Sequence, residues 1–254
     1  MNFLIVVDYQ VDFYDGKLPA VGHETQKEIM PNVKKRIEEA MKDPDTVVVF
    51  TGDAHMASTY LQSAEGKNIP FIHCEKDTPG YRLIDEFKPF VKGIEPFTTE
   101  ELDEAFDVLN PNFSVDNVNN IKSLVNGQKV IYLDKETLGS RHLPAIMSVR
   151  AGGKEQVKDV EFCGLYSGHC VIHNISSVHS YFPNAHLKVN RDLTTGVTLQ
   201  DDVIAKEAYK PWGVEVTGAE PKLKVITGDD VALFDKAKAK SQKTPTKVQE
   251  IIKK

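Results

Sequence analysis

The amino-acid sequence predicts an α/β fold, a three-layer sandwich with a central, mainly parallel sheet of about six strands. Two observations predict it. Short apolar runs rich in β-branched residues recur along the chain, and within them apolar residues do not alternate with polar ones. Such runs are typical of strands covered on both faces, as in parallel sheets, and the amphipathic stretches between them supply the helical crossovers that parallel strands need.

The predicted strands begin close to the first residue and recur along most of the chain. They are Phe3–Val7, Val47–Phe50, Pro70–Ile72, Val130–Leu133, Val160–Tyr166, His186–Val189 and Leu223–Ile226. Between the first two, apolar residues recur at every fourth position from Ile29 to Met41, which predicts an amphipathic helix that Pro44 limits. A second helix is predicted to begin at about Cys170, because the apolar residues from Val171 to Phe182 follow helical spacing.

The length of 254 residues fits one main domain, which we place at residues 1–236. Residues from about 87 to 128 are polar and punctuated by Asn and Pro, with one predicted helix at Thr99–Leu109. Because this segment is too long for an ordinary connection, we interpret it as an insertion that forms a lid, a subdomain or a contact surface. Residues 237–254 are a Lys-rich tail, predicted to be a solvated helix or partly disordered.

The composition narrows the classes of partner and the compartment. A formal net charge of −6 provides no basic surface for nucleic acid or anionic lipid. No stretch approaches the roughly 18 apolar residues of a membrane helix, and the first apolar run is cut by Asp8 and lacks the features of a secretory signal. Three cysteines are a sparse and odd set, which fits free thiols in a reducing compartment. We therefore expect a cytoplasmic protein.

Five reactive side chains lie at or just past the carboxyl end of a predicted strand. They are Asp8, Asp53, His73, Lys135 and Cys170. In open parallel sheets ligands bind along that edge, so separate turns can bring these groups into one crevice. A single such residue says little, because every apolar run ends at a polar residue somewhere. The five together predict a functional site.

Cys170 follows a predicted strand and begins a predicted helix. The positive end of the helix dipole and the free backbone amides there lower the pKa of a thiol and can hold an oxyanion. The alternative is that Cys170 is a small buried hydrophobic residue, as free cysteines commonly are. Cys74 and Cys163 fit that alternative better, since Cys163 lies within a predicted strand.

Asp53 and His55 form a DxH pair at one strand end, and His73 lies at the end of the next predicted strand. One carboxylate and two imidazoles make a suitable ligand set for zinc, iron or manganese, with positions left for water or substrate. The alternative is that these are ordinary polar residues, since most histidines bind no metal. The placement of all three at the same predicted edge favours a metal site.

Five sequence motifs, taken together, resemble those of the isochorismatase-like cysteine hydrolases, and specifically of the nicotinamidases. They are VVDYQVDF at 6–13, TGDAH at 51–55, HCEKDTPG at 73–80, GLYSGHCV at 164–171 and RDLTTGVT at 191–198. The motifs occur in the family's order and extend over most of the chain. The resemblance implies the isochorismatase-like hydrolase fold and the hydrolysis of a linear amide C–N bond.

The resemblance also implies a catalytic set. In it, Asp8 is the general base for the thiol of Cys170, and Lys135 is the third member. Cys170 attacks the amide carbon, ammonia leaves, and water hydrolyses the resulting thioester. The backbone amides of Tyr166 and Cys170 are implied to form the oxyanion hole. The implied reaction converts nicotinamide to nicotinate and ammonia, as a step of NAD salvage.

By the same resemblance Asp53, His55 and His73 hold one divalent ion that binds the ring nitrogen of the substrate, with zinc expected first and iron(II) or manganese(II) next. Phe13 is implied to pack on the substrate ring, the alternative being a core phenylalanine. Relatives carry a tryptophan shortly before the third ligand, and Phe71 is the candidate to substitute for it. The implied partners are a small amide substrate and, since family members are often oligomers, further copies of the chain.

Two other functions remain open. One is a related cysteine hydrolase that acts on another amide or a ureido compound, which the insertion at about 87–128 and the missing tryptophan favour. The other is a non-catalytic module that binds a metal or a ligand. The joint presence of Asp8, Lys135 and Cys170 argues against the second, because a binding module has no need of a complete nucleophile set.

Overall fold

Six parallel strands form one sheet in the computed structural model of the protein, which describes residues 1–15, 18 and 23–219. The strands are β1 (Asn2–Val7), β2 (Thr46–Asp53), β3 (Val130–Lys135), β4 (Asp159–Leu165), β5 (His186–Thr195) and β6 (Glu215–Thr217). Their order across the sheet is β3-β2-β1-β4-β5-β6, and every neighbouring pair is parallel. The predicted fold class is confirmed.

Helices cover both faces of the sheet. They are α1 (Val11–Tyr14), α2 (His23–Lys42), α3 (Ala64–Asn68), α4 (Thr99–Phe106), α5 (Val115–Val125), α6 (Leu143–Ala151), α7 (Ile172–Tyr181) and α8 (Leu199–Tyr209). Because successive side chains of a strand point to opposite faces, Phe3 and Ile5 of β1 enter one core cluster and Leu4 and Val6 enter the other. Helices α4 to α8 contribute buried residues to the first cluster, and α2 contributes to the second. In the described part of the chain no helix has the length and apolarity to cross a membrane.

The order in which strands are added to the sheet reverses its direction between β1 and β4. From β1 the chain builds outward to β2 and β3, and it then returns to place β4 on the other side of β1. In such sheets the crevice for ligands opens at this point, beyond the carboxyl ends of the two central strands. The residues after β1 and β4 are Asp8 and the turn that carries Cys170, so the fold brings the two together.

Three predictions about strands differ from the structure. Pro70–Ile72 is a loop, because Pro70 has no N–H to donate to a ladder and the run is only a few residues long. The edge strand β6 at Glu215–Thr217 was not predicted, since its exposed polar residues flank one half-buried valine. Strand β5 continues past the predicted Val189 through a polar stretch, beside an irregularity in its pairing with β4. The predicted strand Leu223–Ile226 and the tail at 237–254 lie outside the described residues.

The segment at 87–128 packs onto the main core. Leu102 of α4 and Ile121 of α5 are buried in the same cluster as Ile131 and Leu133 of β3. The backbone of Phe97 pairs with the outer edge of β3, donating to the carbonyl of Tyr132 and accepting from the N–H of Asp134. The division into one domain with an insertion stays a prediction, but α4 and α5 share the hydrophobic core of the sheet.

Truncation of Leu102 tests this packing. Leu102 is 0% exposed whereas Leu109, in the connection between α4 and α5, is 89% exposed. We expect Leu102→Ala to lower the free energy of unfolding by about 2–5 kcal/mol, because it opens a cavity in the core. Leu109→Ala should change it by no more than about 0.5 kcal/mol. Urea denaturation of both variants measures the difference, and equal stabilities would show that α4 is not part of the core.

Candidate active site and metal centre

Asp8 lies directly after β1, buried at the centre of the crevice. Its backbone has a left-handed conformation, φ 53°, which is uncommon for a residue other than glycine. The turn is held by Thr51 of β2, whose carbonyl accepts from the Asp8 N–H at 3.1 Å and whose hydroxyl donates to Asp8 Oδ1 at 2.9 Å. Gly164 of β4 allows the close approach on the other side, because a Cβ there would lie 2.1 Å from the carbonyl oxygen of Val7.

Lys135 is the last residue of β3, and its ammonium lies between two carboxylates. Lys135 Nζ is 2.8 Å from Asp8 Oδ2 and also donates to Asp53 Oδ1. All three side chains are buried. Burial acts to lower the pKa of Lys135, but the charges of Asp53 and Asp8 outweigh it and hold that pKa well above its usual value. Lys135 is therefore an ammonium ion at neutral pH.

Cys170 lies in the turn Ser167–Val171 between β4 and α7, and the backbone of this turn leaves helical geometry at His169, with φ −129° and ψ −105°. The prediction of a helix starting at about Cys170 is close, since α7 begins at Ile172. The thiol sulfur and carboxylate oxygens of Asp8 and Asp53 all lie within 4.8 Å of one another. The structure thus brings together the three residues assigned to the catalytic set, Asp8, Lys135 and Cys170.

The environment of the Cys170 thiol differs from the sequence-based expectation. Burial raises the pKa of Cys170 well above its usual value, and Lys135 opposes that rise only in part. Burial also raises the pKa of Asp8, to about 6, against the lowering effect of Lys135. The expected lowering of the thiol pKa by a helix N-terminus is outweighed, because desolvation of a thiolate costs more than the nearby dipoles return. The resting pair is a thiol beside a carboxylate.

Asn174 fixes the turn that carries Cys170, and the sequence did not indicate it. Its side-chain amide donates to the carbonyl of Cys170 at 2.8 Å, and its amide oxygen accepts from the N–H of Ser140 at 3.0 Å. The second hydrogen bond connects the turn to the loop that follows Lys135 at the end of β3. The available signal was a polar residue four positions after Cys170 on the otherwise apolar face of α7, where it is fully buried.

Four side chains converge beside this set and form a group of metal-ligand candidates, which we call the metal cluster. Asp53 ends β2, His55 follows it, Glu65 comes from α3, and His73 lies in the loop after α3. The Nε2 atoms of His55 and His73 are 3.4 and 3.5 Å from Glu65 Oε1, and each is 3.8 Å from Asp53 Oδ2. The four donor atoms all lie within 4.8 Å of one another. His73 reaches the cluster from a loop and not from a predicted strand end.

The chemistry of this cluster fits a divalent metal ion. Two carboxylates and two imidazoles converge in a buried space, and Asp53 Oδ2 and His55 Nε2 make no hydrogen bond with any described residue. His73 Nδ1 is 3.0 Å from the carbonyl oxygen of Phe71, which can only accept, so Nδ1 carries the proton and Nε2 presents its lone pair to the cluster. Such mixed oxygen and nitrogen ligands suit zinc, iron or manganese.

Glu65 is the ligand candidate that the sequence did not reveal. It lies in a polar stretch without strand character, and only the short helix α3 turns it inward. Ser63 begins this helix by accepting from the N–H of Gly66 at 2.9 Å. The signal was an acidic residue between the DxH pair and His73, which is too common a pattern to be informative without coordinates.

The segments that carry the metal-ligand candidates are joined by backbone hydrogen bonds. The N–H of His55 donates to the carbonyl of Cys74, and the carbonyl of His55 accepts from the N–H of Lys76, at 3.1 and 3.0 Å. The N–H of Ala54 donates to the carbonyl of Lys135 at 2.8 Å. The metal cluster and the ammonium of Lys135 are therefore held on one continuous framework.

Aromatic residues border the metal cluster. The ring of Phe13 is buried, with its centroid 5.3 Å from that of His73 and 5.8 Å from that of Tyr166. Tyr166, whose peptide bond with Leu165 is cis, donates from its hydroxyl to the carbonyl of Phe13 at 2.9 Å. Phe71 is half-buried and packs against the second core cluster. Phe13 is thus both a core residue and a neighbour of the metal cluster.

Comparison with known families finds a match over the first part of the chain. The family model of the isochorismatase domain matches residues 2–109, which include Asp8, Asp53, His55 and His73. The search of curated proteins finds no significant match. The family match and the fold confirm, at the level of the superfamily, the predicted resemblance to the isochorismatase-like hydrolases.

Among solved structures, the chain is similar in fold to several amidases. A pyrazinamidase/nicotinamidase of Streptococcus mutans UA159 aligns with a TM-score of 0.60 and 17% identity over 85% of this chain and 99% of that chain. A pyrazinamidase of Pyrococcus horikoshii in complex with zinc aligns at 0.55 and 20% over 86% and 99%. An N-carbamoylsarcosine amidase of Thermoplasma acidophilum aligns at 0.57 and 19% over 85% and 95%. At these identities the likeness establishes the shared fold.

Removal of the Lys135 ammonium tests the electrostatic centre of the site. Lys135→Met leaves the carboxylates of Asp8 and Asp53 buried without their cation, and we expect a loss of about 3–5 kcal/mol in the free energy of unfolding. Lys210→Met is the control, because Lys210 pairs with Glu207 on the surface, 62% exposed, and should cost less than about 1 kcal/mol. Chemical denaturation at neutral pH compares them, and equal costs would contradict the buried triad.

Proposed function

We propose that this chain is a metal-dependent cysteine amidohydrolase that converts nicotinamide to nicotinate and ammonia, a reaction that recycles the pyridine ring for NAD synthesis. One observation carries the proposal. The set of Asp8, Lys135 and Cys170 lies next to the metal cluster. Asp53 belongs to both groups, because it accepts a hydrogen bond from Lys135 and faces His55 and His73. This adjacency lets one small substrate meet the thiol and the metal at once.

The thiol and its neighbours have the properties that acylation requires. Asp8, whose pKa is raised to about 6, is a carboxylate at neutral pH and can accept the thiol proton of Cys170 as the sulfur attacks the amide carbon. The proton then passes to the leaving nitrogen, the C–N bond breaks, and ammonia departs. Water next attacks the thioester and gives one proton to Asp8; the C–S bond breaks, Asp8 returns that proton to the sulfur, and the carboxylic acid leaves. Lys135 stabilises the negative charge that moves between these groups.

Backbone amides at the nucleophile turn are proposed to hold the oxyanion. The N–H of Tyr166 lies just before the turn Ser167–Val171 and that of Cys170 lies within it, so both belong to the segment that presents the Cys170 sulfur. Asn174 holds the carbonyl of Cys170 on the opposite side of the turn. This hydrogen bond fixes the peptide between Cys170 and Val171 and so helps to hold the turn that carries the two N–H groups.

The metal is proposed to select the substrate. We assign Asp53, His55, Glu65 and His73 as the ligands, with zinc as the first candidate and iron(II) or manganese(II) as the next. When bound, the ion supplies a Lewis-acidic position for a pyridine ring nitrogen. Phe13 then borders the ring, and Phe71, next to His73, is the second candidate. This ligand set supports a pyridine carboxamide over an aliphatic amide.

A substrate panel with a paired cysteine control tests the reaction. We expect ammonia from nicotinamide and pyrazinamide, and a loss on the order of 10⁴-fold or more in kcat for Cys170→Ala. Cys163→Ala should retain nearly full activity, because Cys163 is equally buried but its thiol contacts the carbonyl of Ile5 in the sheet. Release from carbamoyl amino acids alone would instead assign the related ureido hydrolase, and ligand binding without any turnover would assign a binding module.

Metal removal tests the metal centre separately. Exhaustive chelation should abolish nicotinamide hydrolysis and readdition of zinc should restore it. His73→Ala should lower the bound zinc per chain, measured by atomic emission, whereas His186→Ala should not. His186 is the matched control because it is half-exposed and pairs with Asp159 and Glu215 at the opposite edge of the sheet. Full turnover after metal removal would refute this role.

A further inference from the structure

Two buried polar residues next to Asp8 play no part in the proposed chemistry. Gln10 and Asp12 lie two and four positions after Asp8, in the segment that leads from β1 into α1. Both are buried. Buried polar side chains are costly unless hydrogen-bonded, so their partners indicate what they stabilise. In both residues the partners are backbone groups of segments that carry metal-ligand candidates.

Gln10 binds the peptide groups on both sides of Asp53. Its Oε1 accepts from the backbone N–H of Asp53 at 2.7 Å, and its Nε2 donates to the carbonyl of Asp53 at 2.7 Å. Nε2 also donates to the carbonyl of Tyr81 at 2.7 Å, in the loop that follows His73. An amide side chain alone offers this combination of two donors and one acceptor, so neither a carboxylate nor an apolar group can replace it.

Asp12 holds the segment at His73 in the same way. Its Oδ2 accepts from the backbone N–H of Cys74 at 2.8 Å. Cys74 directly follows His73 and has a left-handed backbone, φ 45°, so the chain turns sharply at this point. Gly80 packs against the same carboxylate, since a Cβ there would lie 2.1 Å from Asp12 Oδ2. The carboxylate of Asp12 thus fixes the turn after the ligand candidate.

We propose that Gln10 and Asp12 are positioning residues for the metal, with Gln10 setting the place of Asp53 and Asp12 that of His73. The inference rests on the metal centre of the proposed function. Neither residue touches the ligand atoms; each acts through the backbone of the segment that carries the ligand. Asp8, Gln10 and Asp12 lie within one stretch of five residues. This stretch therefore aligns the proposed general base with two of the proposed metal ligands.

The first experiment measures zinc affinity in Gln10→Met, which keeps the length of the side chain and removes its hydrogen bonds. We expect zinc binding, measured by competition with a chromophoric chelator, to weaken by about 10–100-fold. The control is Thr46→Val, which removes a partly buried hydrogen bond to Asp43 at the opposite end of β2 and should leave zinc affinity unchanged. Zinc affinity equal to that of the wild type in a folded Gln10→Met protein would overturn the proposal.

The second experiment compares two variants of Asp12. Asp12→Asn keeps an oxygen that can accept from the N–H of Cys74, whereas Asp12→Ala leaves that N–H buried without a partner. We expect zinc affinity close to wild type in Asp12→Asn and a clear loss in Asp12→Ala, at similar melting temperatures of the metal-free proteins. Equal zinc affinity in the two would contradict the role of Asp12.

If Gln10→Met does not fold, Gln10→Glu provides the test of Gln10, since it keeps the acceptor but loses both donors.

The two proposals fail in different ways. If the wild-type protein binds no divalent metal, or hydrolyses nicotinamide equally well without one, the metal centre of the proposed function is wrong. If the wild type binds zinc through His73 and the Gln10 and Asp12 variants bind it equally well, only the positioning role is wrong. Metal affinity separates a positioning residue from one that merely supports the fold. Thr46→Val shows the effect of a change in the same strand that does not reach the ligands, and a positioning residue must weaken zinc binding more than this control does.

Discussion

The buried ammonium of Lys135 between Asp8 and Asp53 is the interaction on which the rest of the site depends. Three charges out of water are costly, and their mutual attraction offsets that cost only while all three are held in contact. The contact fixes the position of Asp8 beside the Cys170 thiol and, on the other side, that of Asp53 among the metal-ligand candidates. Displacement of Lys135 would leave both carboxylates without a cation in the core.

The parallel sheet makes this contact feasible. The four adjacent parallel strands β1 to β4 end at the same edge of the sheet, and β1 and β4 are neighbours although they are far apart in sequence. Asp8, Asp53, Lys135 and the Cys170 turn therefore start from adjacent strand ends without long excursions. The approach at the centre is close because Gly164 has no side chain against Val7. The hydrophobic core thus supplies rigidity, and polar chemistry is confined to the turns at one edge.

The polar residues around the site satisfy backbone groups that the irregular loops leave unpaired. Gln10, Asp12 and Asn174 each bind peptide groups of a segment that carries a functional side chain. A loop that presents reactive groups cannot also satisfy its own backbone by regular pairing, so buried side chains take over that function. This is why polar residues with no chemical role occur in the most buried part of the site.

The sequence alone determined the α/β class and the positions of β1 to β4, because uninterrupted apolar runs mark buried strands. It also indicated Asp8, Asp53, Lys135 and Cys170 as candidate site residues, because each lies at or shortly after the end of such a run. It did not determine that Pro70–Ile72 is a loop, that Glu65 joins the metal cluster, or that burial raises the pKa of the Cys170 thiol. These were decided by the tertiary structure. They depend on which distant segments converge and on how completely water is excluded, and neither is encoded in local periodicity.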